Sequence, residues 1–206
     1  IELEAVINQL IATQNCAVLK VLVTRGEGGR GYGLPQQPLL NIVISVVDFP
    51  TQYEALGSKG LCLAVSPIKL ASQPLLAGLK TLNRLEQVMI KQAMQTQDSD
   101  DVLVLDYRNN VIETSAANVF AIKGGRFFSP LLNECGIKGV YLQSLCAKLP
   151  IEFENLTIEQ LKQMDAVFIC NSLMGVIPVK AIDDAYFDIK NSLSVLNGLT
   201  AKEFTC

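Results

Sequence analysis

Residues 74–90 read PLLAGLKTLNRLEQVMI, and the rest of the chain is best understood outward from this stretch. Pro74 and Gly78 interrupt regular structure and let the backbone come close to another group. Four apolar residues then recur at helical spacing: Leu82, Leu85, Val88 and Met89. The pattern predicts a helix that starts at Lys80, directly after a loop of small and apolar residues.

Lys80 is the candidate nucleophile of this stretch. Apolar neighbours favour the neutral amine of a lysine over its ammonium form, and a neutral amine can attack an aldehyde to form a Schiff base. From these residues alone, the alternative is a surface lysine at a helix start whose head group reaches water. The other motifs of the chain favour the first interpretation.

Composition limits the classes of protein that fit. The chain has 206 residues, half of them hydrophobic and only 18% charged, which is enough for a large core in one domain, or in one domain plus part of another. A net charge of −3 without basic clusters argues against nucleic acid or an anionic membrane surface as a partner. Neither a membrane-length apolar run nor a signal-peptide pattern is present in the sequence.

Cysteine and histidine usage narrows the chemistry further. The six cysteines show no C-x-x-C spacing, which predicts free thiols in a reducing cytoplasm. The sequence has 0 histidines, so this chain contains neither a Ser-His-Asp or Cys-His mechanism nor a histidine-ligated metal. We predict that no metal is bound. Lysine, tyrosine, carboxylates or a cofactor must therefore do the chemistry.

The N-terminal part predicts a helix over residues 1–13 and strands over 17–24 and 42–47. Between these strands lies RGEGGRGYGLP, in which Arg30 and Tyr32 follow a run of glycines. Arginine binds carboxylates through paired hydrogen bonds, so this segment is a candidate anion-binding loop. An ordinary solvated hairpin loop explains the same residues equally well. Residues 48–56 are a possible linker, and 61–65 predict a third strand.

Two further segments combine a strand or helix end with small residues. In ETSAANVFAI, residues 113–122, Glu113 ends a strand, and the small residues after it leave room for a ligand; a tightly packed turn is the alternative. In CGIKGVYLQSL, residues 135–145, a glycine-bearing loop leads into a helix at about Val140. Free N–H groups at such a helix start are suited to a phosphate. A capping box at Thr157 and Gln160 predicts a later short helix.

Five segments together resemble the fold-type IV pyridoxal-phosphate enzymes, the class IV aminotransferase family, and most closely its lyase branch. They occur in the family's order over residues 21–179: RGEGGRGYG, LAGLKTLNRLEQ, ETSAANVFAI, GIKGVYLQ and CNSLMGVIPV. The resemblance implies an α/β fold like that of D-amino-acid aminotransferases, in two domains. Residues 1–47 would be the remainder of a small N-terminal domain and residues 57–206 the larger cofactor-binding domain.

The resemblance also implies roles for individual residues. Lys80 would be the catalytic lysine that binds pyridoxal 5′-phosphate (PLP), and Glu113 would lie against the pyridine nitrogen of this cofactor. The remaining cofactor contacts would come from Ile137, Val140, Tyr141 and Ser172. Substrate carboxylates would be bound by Arg30 and Tyr32.

The resemblance implies a carbon–oxygen lyase that converts 4-amino-4-deoxychorismate to 4-aminobenzoate and pyruvate, in a cytoplasmic homodimer. Leu142 departs from the family, which usually has arginine there, and an N-terminal segment that carries another phosphate-binding arginine is expected to be missing. The alternatives are a transaminase of D- or branched-chain amino acids on the same fold and a truncated, non-catalytic protein. Cofactor absorbance separates the non-catalytic protein from the enzymes.

Overall fold

The computed structural model describes residues 3–12 and 17–203, the last of them (197–203) by backbone alone. Cys16 and Cys206 lie outside the described residues, as do the ends of the helix predicted over 1–13. The chain divides into two compact units, Ile1–Thr51 and Gln52–Cys206. Helix α2 begins at Gln52, so most of the linker predicted over 48–56 is either the end of a strand or part of a helix.

The first unit consists of helix α1, Leu3–Ile11, and a two-stranded antiparallel sheet. Strands β1, Ala17–Thr24, and β2, Asn41–Asp48, pair along their whole length, from Ala17 opposite Asp48 to Thr24 opposite Asn41. This confirms the two predicted strands. The glycine-rich connection between them contains a single 3-10 turn at Arg30–Tyr32.

The second unit is built on a nine-stranded mixed sheet with the order β5-β4-β3-β10-β9-β6-β7-β8, and β11 pairs with β10. Its strands are β3 Leu61–Val65, β4 Asp101–Leu105, β5 Val111–Thr114, β6 Asn118–Lys123, β7 Arg126–Pro130, β8 Ile151–Glu154, β9 Ala166–Asn171, β10 Gly175–Ile182 and β11 Ala185–Tyr186. Its helices are α2 Gln52–Lys59, α3 Leu85–Met94, α4 Val140–Cys146, α5 Ile158–Lys162 and α6 Ile189–Glu203.

Strand β10 connects the two halves of this sheet. Its first residues pair antiparallel with β9, and its last residues pair parallel with β3. Pro178, which has no N–H to donate, lies where the pairing changes from one neighbour to the other. The register also shifts between Val179 and Ala181, and such an irregularity bends a strand.

Both faces of the sheet are buried. Alternate residues of β4 point to opposite faces, so Val102 and Val104 belong to one apolar cluster and Leu103 and Leu105 to the other. Helix α4 covers the first face and α5 the second. Helix α5 begins with the predicted capping box, in which the side chains and backbone N–H groups of Thr157 and Gln160 bond reciprocally.

The helix predicted to begin at Lys80 begins instead at Leu85. Residues 74–77 form turns, and Gly78 has a φ of +80°, a conformation that favours glycine. Gly78 forms an isolated bridge with Ile137, so this segment is fixed by a distant part of the chain. No helix among the residues described is long and apolar enough to cross a membrane.

Candidate active site

The second unit contains a pocket of about 700 Å³ where several elements begin or end. The end of β5, the end of β9, the start of β6 and the start of α4 all contribute to it, together with the loop that carries Lys80. All six residues that were predicted to bind a cofactor line it: Lys80, Glu113, Ile137, Val140, Tyr141 and Ser172. The structure therefore brings together residues that are far apart in the sequence.

Lys80 lies in an extended loop before α3, and its side chain is exposed. The apolar neighbours that were expected to shield it are themselves exposed, Leu75 at 87% and Leu79 at 54%. The prediction that Lys80 is withdrawn from water is therefore wrong for the chain as described, because these apolar side chains face solvent and do not cover the lysine. Lys80 still faces the pocket that contains Glu113.

Glu113 is a buried carboxyl group on β5, only 5% exposed. One of its oxygens, Oε2, accepts a hydrogen bond of 2.9 Å from the backbone N–H of Ile137. Burial raises the pKa of Glu113 from 4.5 to about 7, because a carboxylate removed from water is disfavoured. The hydrogen bonds from Ile137 and Gln87 and the positive charges of Arg84 and Lys80 oppose this rise. Glu113 is thus a carboxyl group that a further positive partner would ionise.

Residues 136–139 connect Glu113 to the Lys80 loop. The N–H of Gly78 donates to the carbonyl of Gly136 at 2.9 Å, and the N–H of Lys138 donates to the carbonyl of Gly78 at 3.0 Å. The N–H between these two positions, that of Ile137, is the one that reaches Glu113. One short segment therefore holds the lysine loop on one side and the carboxyl group on the other.

Asn118, a buried residue at the start of β6, fixes this same segment. Its amide donates to the carbonyl of Ile137 at 2.6 Å and accepts from the N–H of Gly139 at 3.0 Å. An added Cβ at Gly139 would lie 2.5 Å from the Asn118 side-chain oxygen, so only glycine fits the close approach. Gly139 is also the N-cap of α4, so Asn118 bonds the residue directly before that helix.

Asn171, at the end of β9, holds another part of the pocket wall in place. Its amide donates to the carbonyl of Ala116 at 3.1 Å, and its side-chain oxygen accepts 2.9 Å bonds from the N–H groups of Leu173 and Met174. These bonds fix the turn that carries Ser172 beside the small residues that follow Glu113.

Sequence reasoning missed four pocket residues that hold this arrangement: Arg84, Gln87, Asn118 and Asn171. Each lies inside one of the segments quoted above, but no spacing rule singled it out. The two asparagines could have been noticed because each lies at the end or start of a strand. A side-chain amide there can donate to a carbonyl and accept from an N–H.

Two other predictions concern Leu142 and the glycine-rich loop. Leu142 is completely buried in the core cluster under α4, so its side chain packs among apolar residues and does not line the pocket. Arg30 and Tyr32 belong to the first unit, where Tyr32 is fully exposed with a φ of +67°. All of the residues lining the pocket belong to the second unit.

The raised pKa of Glu113 predicts how the cofactor-free protein responds to pH. The folded state holds the carboxyl proton of Glu113 more tightly than the unfolded chain does. The stability that this protonation contributes is therefore complete below pH 4.5 and is lost as pH rises through about 7. A difference of this size corresponds to roughly 3 kcal/mol of unfolding free energy. Urea unfolding between pH 5 and 8 should show the decline in the protein and a flatter profile in Glu113→Gln.

The matched control for this prediction is Glu54→Gln, which removes an exposed carboxylate from α2. It should leave the slope of stability against pH as it is in the unmodified protein. An unchanged slope in Glu113→Gln would show that the buried carboxyl does not hold the proton.

The fold and pocket define a class of protein: a two-unit α/β chain in which a lysine and a buried carboxyl group share one cavity beside a helix start. Residues 2–182 match the protein family described as "Amino-transferase class IV", and the chain belongs to this family. An aminodeoxychorismate lyase from Vibrio harveyi is 38% identical over 173 residues, which cover 81% of this chain and 63% of that protein. The chain therefore spans less than two thirds of this relative's length.

Other relatives and solved structures agree on the fold. A D-alanine aminotransferase from Staphylococcus epidermidis is 24% identical over 79% of this chain and 58% of its own length. The crystal structure of 4-amino-4-deoxychorismate lyase from Pseudomonas aeruginosa matches with a TM-score of 0.86 and 31% identity, over 98% of this chain and 78% of that one. An aminotransferase from Brucella abortus bound to PLP matches with a TM-score of 0.76 at 17% identity, over 94% and 72% of the two chains.

Proposed function

We propose that this chain holds PLP and acts as a lyase that converts 4-amino-4-deoxychorismate to 4-aminobenzoate and pyruvate, a step that supplies folate synthesis. The observation that carries the proposal is the shared pocket of Lys80 and Glu113, an amine and a buried carboxyl group that face one cavity. The similarity to lyases from Vibrio harveyi and Pseudomonas aeruginosa supports the choice of reaction.

The residues of the pocket fit this cofactor. Glu113 is buried with a pKa of about 7, so a cationic ring nitrogen is the partner that would ionise it. Lys80 lines the same cavity, and an amine is the group that reacts with an aldehyde. A phosphate would be held by backbone N–H groups of Val140 and Tyr141 at the start of α4 and by the Ser172 hydroxyl, with Ile137 packed on the ring. When bound, PLP supplies an electron sink for the charge left by proton removal.

In this proposal, Lys80 has a second role as the base. Its amine takes the proton from the ring carbon beside the substrate nitrogen, and the carbon–oxygen bond to the side chain breaks as the ring becomes aromatic. The side chain leaves as enolpyruvate, which takes up a proton to become pyruvate. Glu113 stays ionised against its cationic partner. The segment 136–139 holds Lys80 and Glu113 near each other, because it bonds Gly78 on one side and Glu113, through the Ile137 N–H, on the other. Aromatisation supplies much of the driving force.

The experiment that tests the function is pyruvate release from 4-amino-4-deoxychorismate without any keto acid. A lyase forms pyruvate and 4-aminobenzoate in equal amounts under these conditions. A transaminase of D- or branched-chain amino acids instead needs a keto-acid acceptor. A protein that binds no PLP and releases no pyruvate would be the non-catalytic alternative, and the proposal would fail.

The substrate carboxylates are proposed to bind Arg30 and Tyr32 of the first unit. Arg30→Ala is expected to raise KM by roughly one to two orders of magnitude, since a lost charged hydrogen bond costs about 1.5–3 kcal/mol. The absorbance of bound PLP should stay unchanged. Arg25→Ala in the same glycine-rich segment is the matched comparison and should have the smaller effect. Loss of cofactor absorbance in Arg30→Ala would show that the loop binds the cofactor and not the substrate.

We further propose a homodimer in the cytoplasm. Helix α3 and the loop before it expose an apolar surface of Leu79, Leu82, Leu85, Val88 and Met89, and contiguous apolar surface of this kind marks protein contacts. Four described cysteines, Cys62, Cys135, Cys146 and Cys170, are free thiols, which is the usual state in a reducing compartment.

The dimer prediction is tested by the double change Leu85→Glu with Val88→Glu. Burial of each side chain in a contact contributes about 1.5–3 kcal/mol, so the dissociation constant should rise by roughly two orders of magnitude or more. Sedimentation equilibrium measures this change. Tyr107→Glu, a similarly exposed residue on the β4–β5 turn, is the control and should leave the association unchanged. A monomer in the unmodified protein would contradict the proposal.

A further inference from the structure

Arg84 occupies a position that helices normally fill with another kind of residue. It is the N-cap of α3, where serine, threonine, aspartate or asparagine is preferred and a positive charge is disfavoured by the helix dipole. The Arg84 side chain makes no capping hydrogen bond. Local preferences that a chain breaks in this way concentrate at functional sites.

The Arg84 guanidinium turns back toward the preceding loop. Its Nη2 donates to the carbonyl of Leu79 at 3.3 Å and to the hydroxyl of Thr81 at 2.9 Å, and its Nε donates to the carbonyl of Thr81 at 3.1 Å. Leu79 and Thr81 are the residues on either side of Lys80. A planar guanidinium presents its donors in a fixed fork, so these three bonds together fix the backbone around the lysine.

The Lys80 loop has a second attachment on its N-terminal side. Gly78 is bonded through both its N–H and its carbonyl to residues 136 and 138, in the segment that also reaches Glu113. The loop that carries Lys80 is therefore attached before the lysine, through Gly78, and on both sides of it by the Arg84 side chain. Arg84 lines the same pocket as Lys80 and Glu113.

We propose that Arg84 is a positioning residue that holds the backbone on both sides of Lys80 and so presents the Lys80 amine to a carbonyl group in the pocket. This rests on the proposed function, in which Lys80 captures PLP. Arg84 itself does not take part in bond making. Its removal keeps Lys80 in the chain but lets the loop that carries it adopt many conformations, most of them unreactive.

The test compares Arg84→Lys and Arg84→Gln with the unmodified protein in two measurements. The first is the rate at which PLP becomes attached to Lys80, followed by borohydride quenching and peptide mass mapping. The second is the affinity for 4′-deoxypyridoxine 5′-phosphate, which lacks the aldehyde and binds only non-covalently. We expect attachment to slow about tenfold in both variants, while the affinity for the aldehyde-free compound changes less than about twofold.

Arg84→Lys separates position from charge, because a lysine keeps the positive charge near Glu113 but cannot bond Leu79 and Thr81 through one fork. An attachment rate restored by lysine would overturn the proposal and assign Arg84 a role as a charge. Parallel loss of attachment and of non-covalent affinity would also overturn it, since Arg84 would then support the whole pocket. Arg108→Gln, an exposed arginine on the β4–β5 turn, is the charge-removal control and should match the unmodified protein.

Failure of the proposed function gives a different result. The unmodified protein would then bind the aldehyde-free compound but carry no borohydride-stable label on Lys80, and the inference about Arg84 would fall with it. A label on Lys80 that forms equally fast in all Arg84 variants overturns the inference alone.

Discussion

Lys80→Met should abolish the borohydride-stable attachment of PLP and slow pyruvate release by roughly 10³-fold or more, because both the nucleophile and the base are lost. Methionine keeps most of the length of the side chain without its amine, so the loop held by Gly78 and Arg84 keeps its contacts. Peptide mass mapping of the reduced protein and a coupled assay of pyruvate measure the two effects.

Lys138 is the competing attachment residue, since it is the other lysine that lines the pocket. Its ammonium lies 5.2 Å from the centre of the Phe153 ring, so it already has a cation–π partner. A label on Lys138, or a label that persists in Lys80→Met, would contradict the assignment. Lys69→Met is the control, because Lys69 bonds Asn109 outside the pocket.

The sequence sufficed to select the residues to which the proposed function assigns the chemistry. Lys80, Glu113 and the α4 start could be chosen because each combines a reactive or polar group with glycines or small residues, and because the segments match a family in order. Their convergence on one pocket could not be predicted from spacing. It depends on long-range bonds such as those of Gly78 to residues 136 and 138, which no local pattern encodes.

The surroundings of Lys80 were harder to predict for two physical reasons. Periodicity shows that Leu82, Leu85, Val88 and Met89 share a face but not what covers it, and in the structure that face is exposed while Ile90 enters the core. The predicted helix start is too early because Arg84 gives no capping signal and its bonds to Leu79 and Thr81 hold the chain out of the helix.

Asn118 illustrates the same limit at the side of the pocket where α4 begins. Its position in ETSAANVFAI is visible in the sequence, but its two bonds to the backbone of Ile137 and Gly139 depend on a loop that is contributed by a later part of the chain. The sequence marks Gly139 only as a glycine before a helix, whereas the structure gives a sharper reason, since any Cβ there would collide with Asn118.

Glu113→Gln should retain PLP but lower turnover by about 10²–10³-fold, because a neutral amide cannot stabilise a positive charge on the ring nitrogen. The carbonyl oxygen of the introduced amide can still accept the bond from the Ile137 N–H, so the loop 136–139 and the Lys80 loop attached to it should keep their positions. Attachment of PLP to Lys80 should therefore proceed at a rate close to that of the unmodified protein.

Glu113→Asp keeps the negative charge but withdraws it by one methylene, so its turnover should lie between those of the unmodified protein and Glu113→Gln. The order of the turnover rates distinguishes the role of the charge from that of the hydrogen bond. Aspartate keeps the charge but is too short to bond the Ile137 N–H, whereas glutamine keeps the bond and loses only the charge. Near-normal turnover in Glu113→Gln would remove the carboxylate from the mechanism. Loss of PLP from Glu113→Gln would instead mean that the charge of Glu113 serves mainly to bind the cofactor.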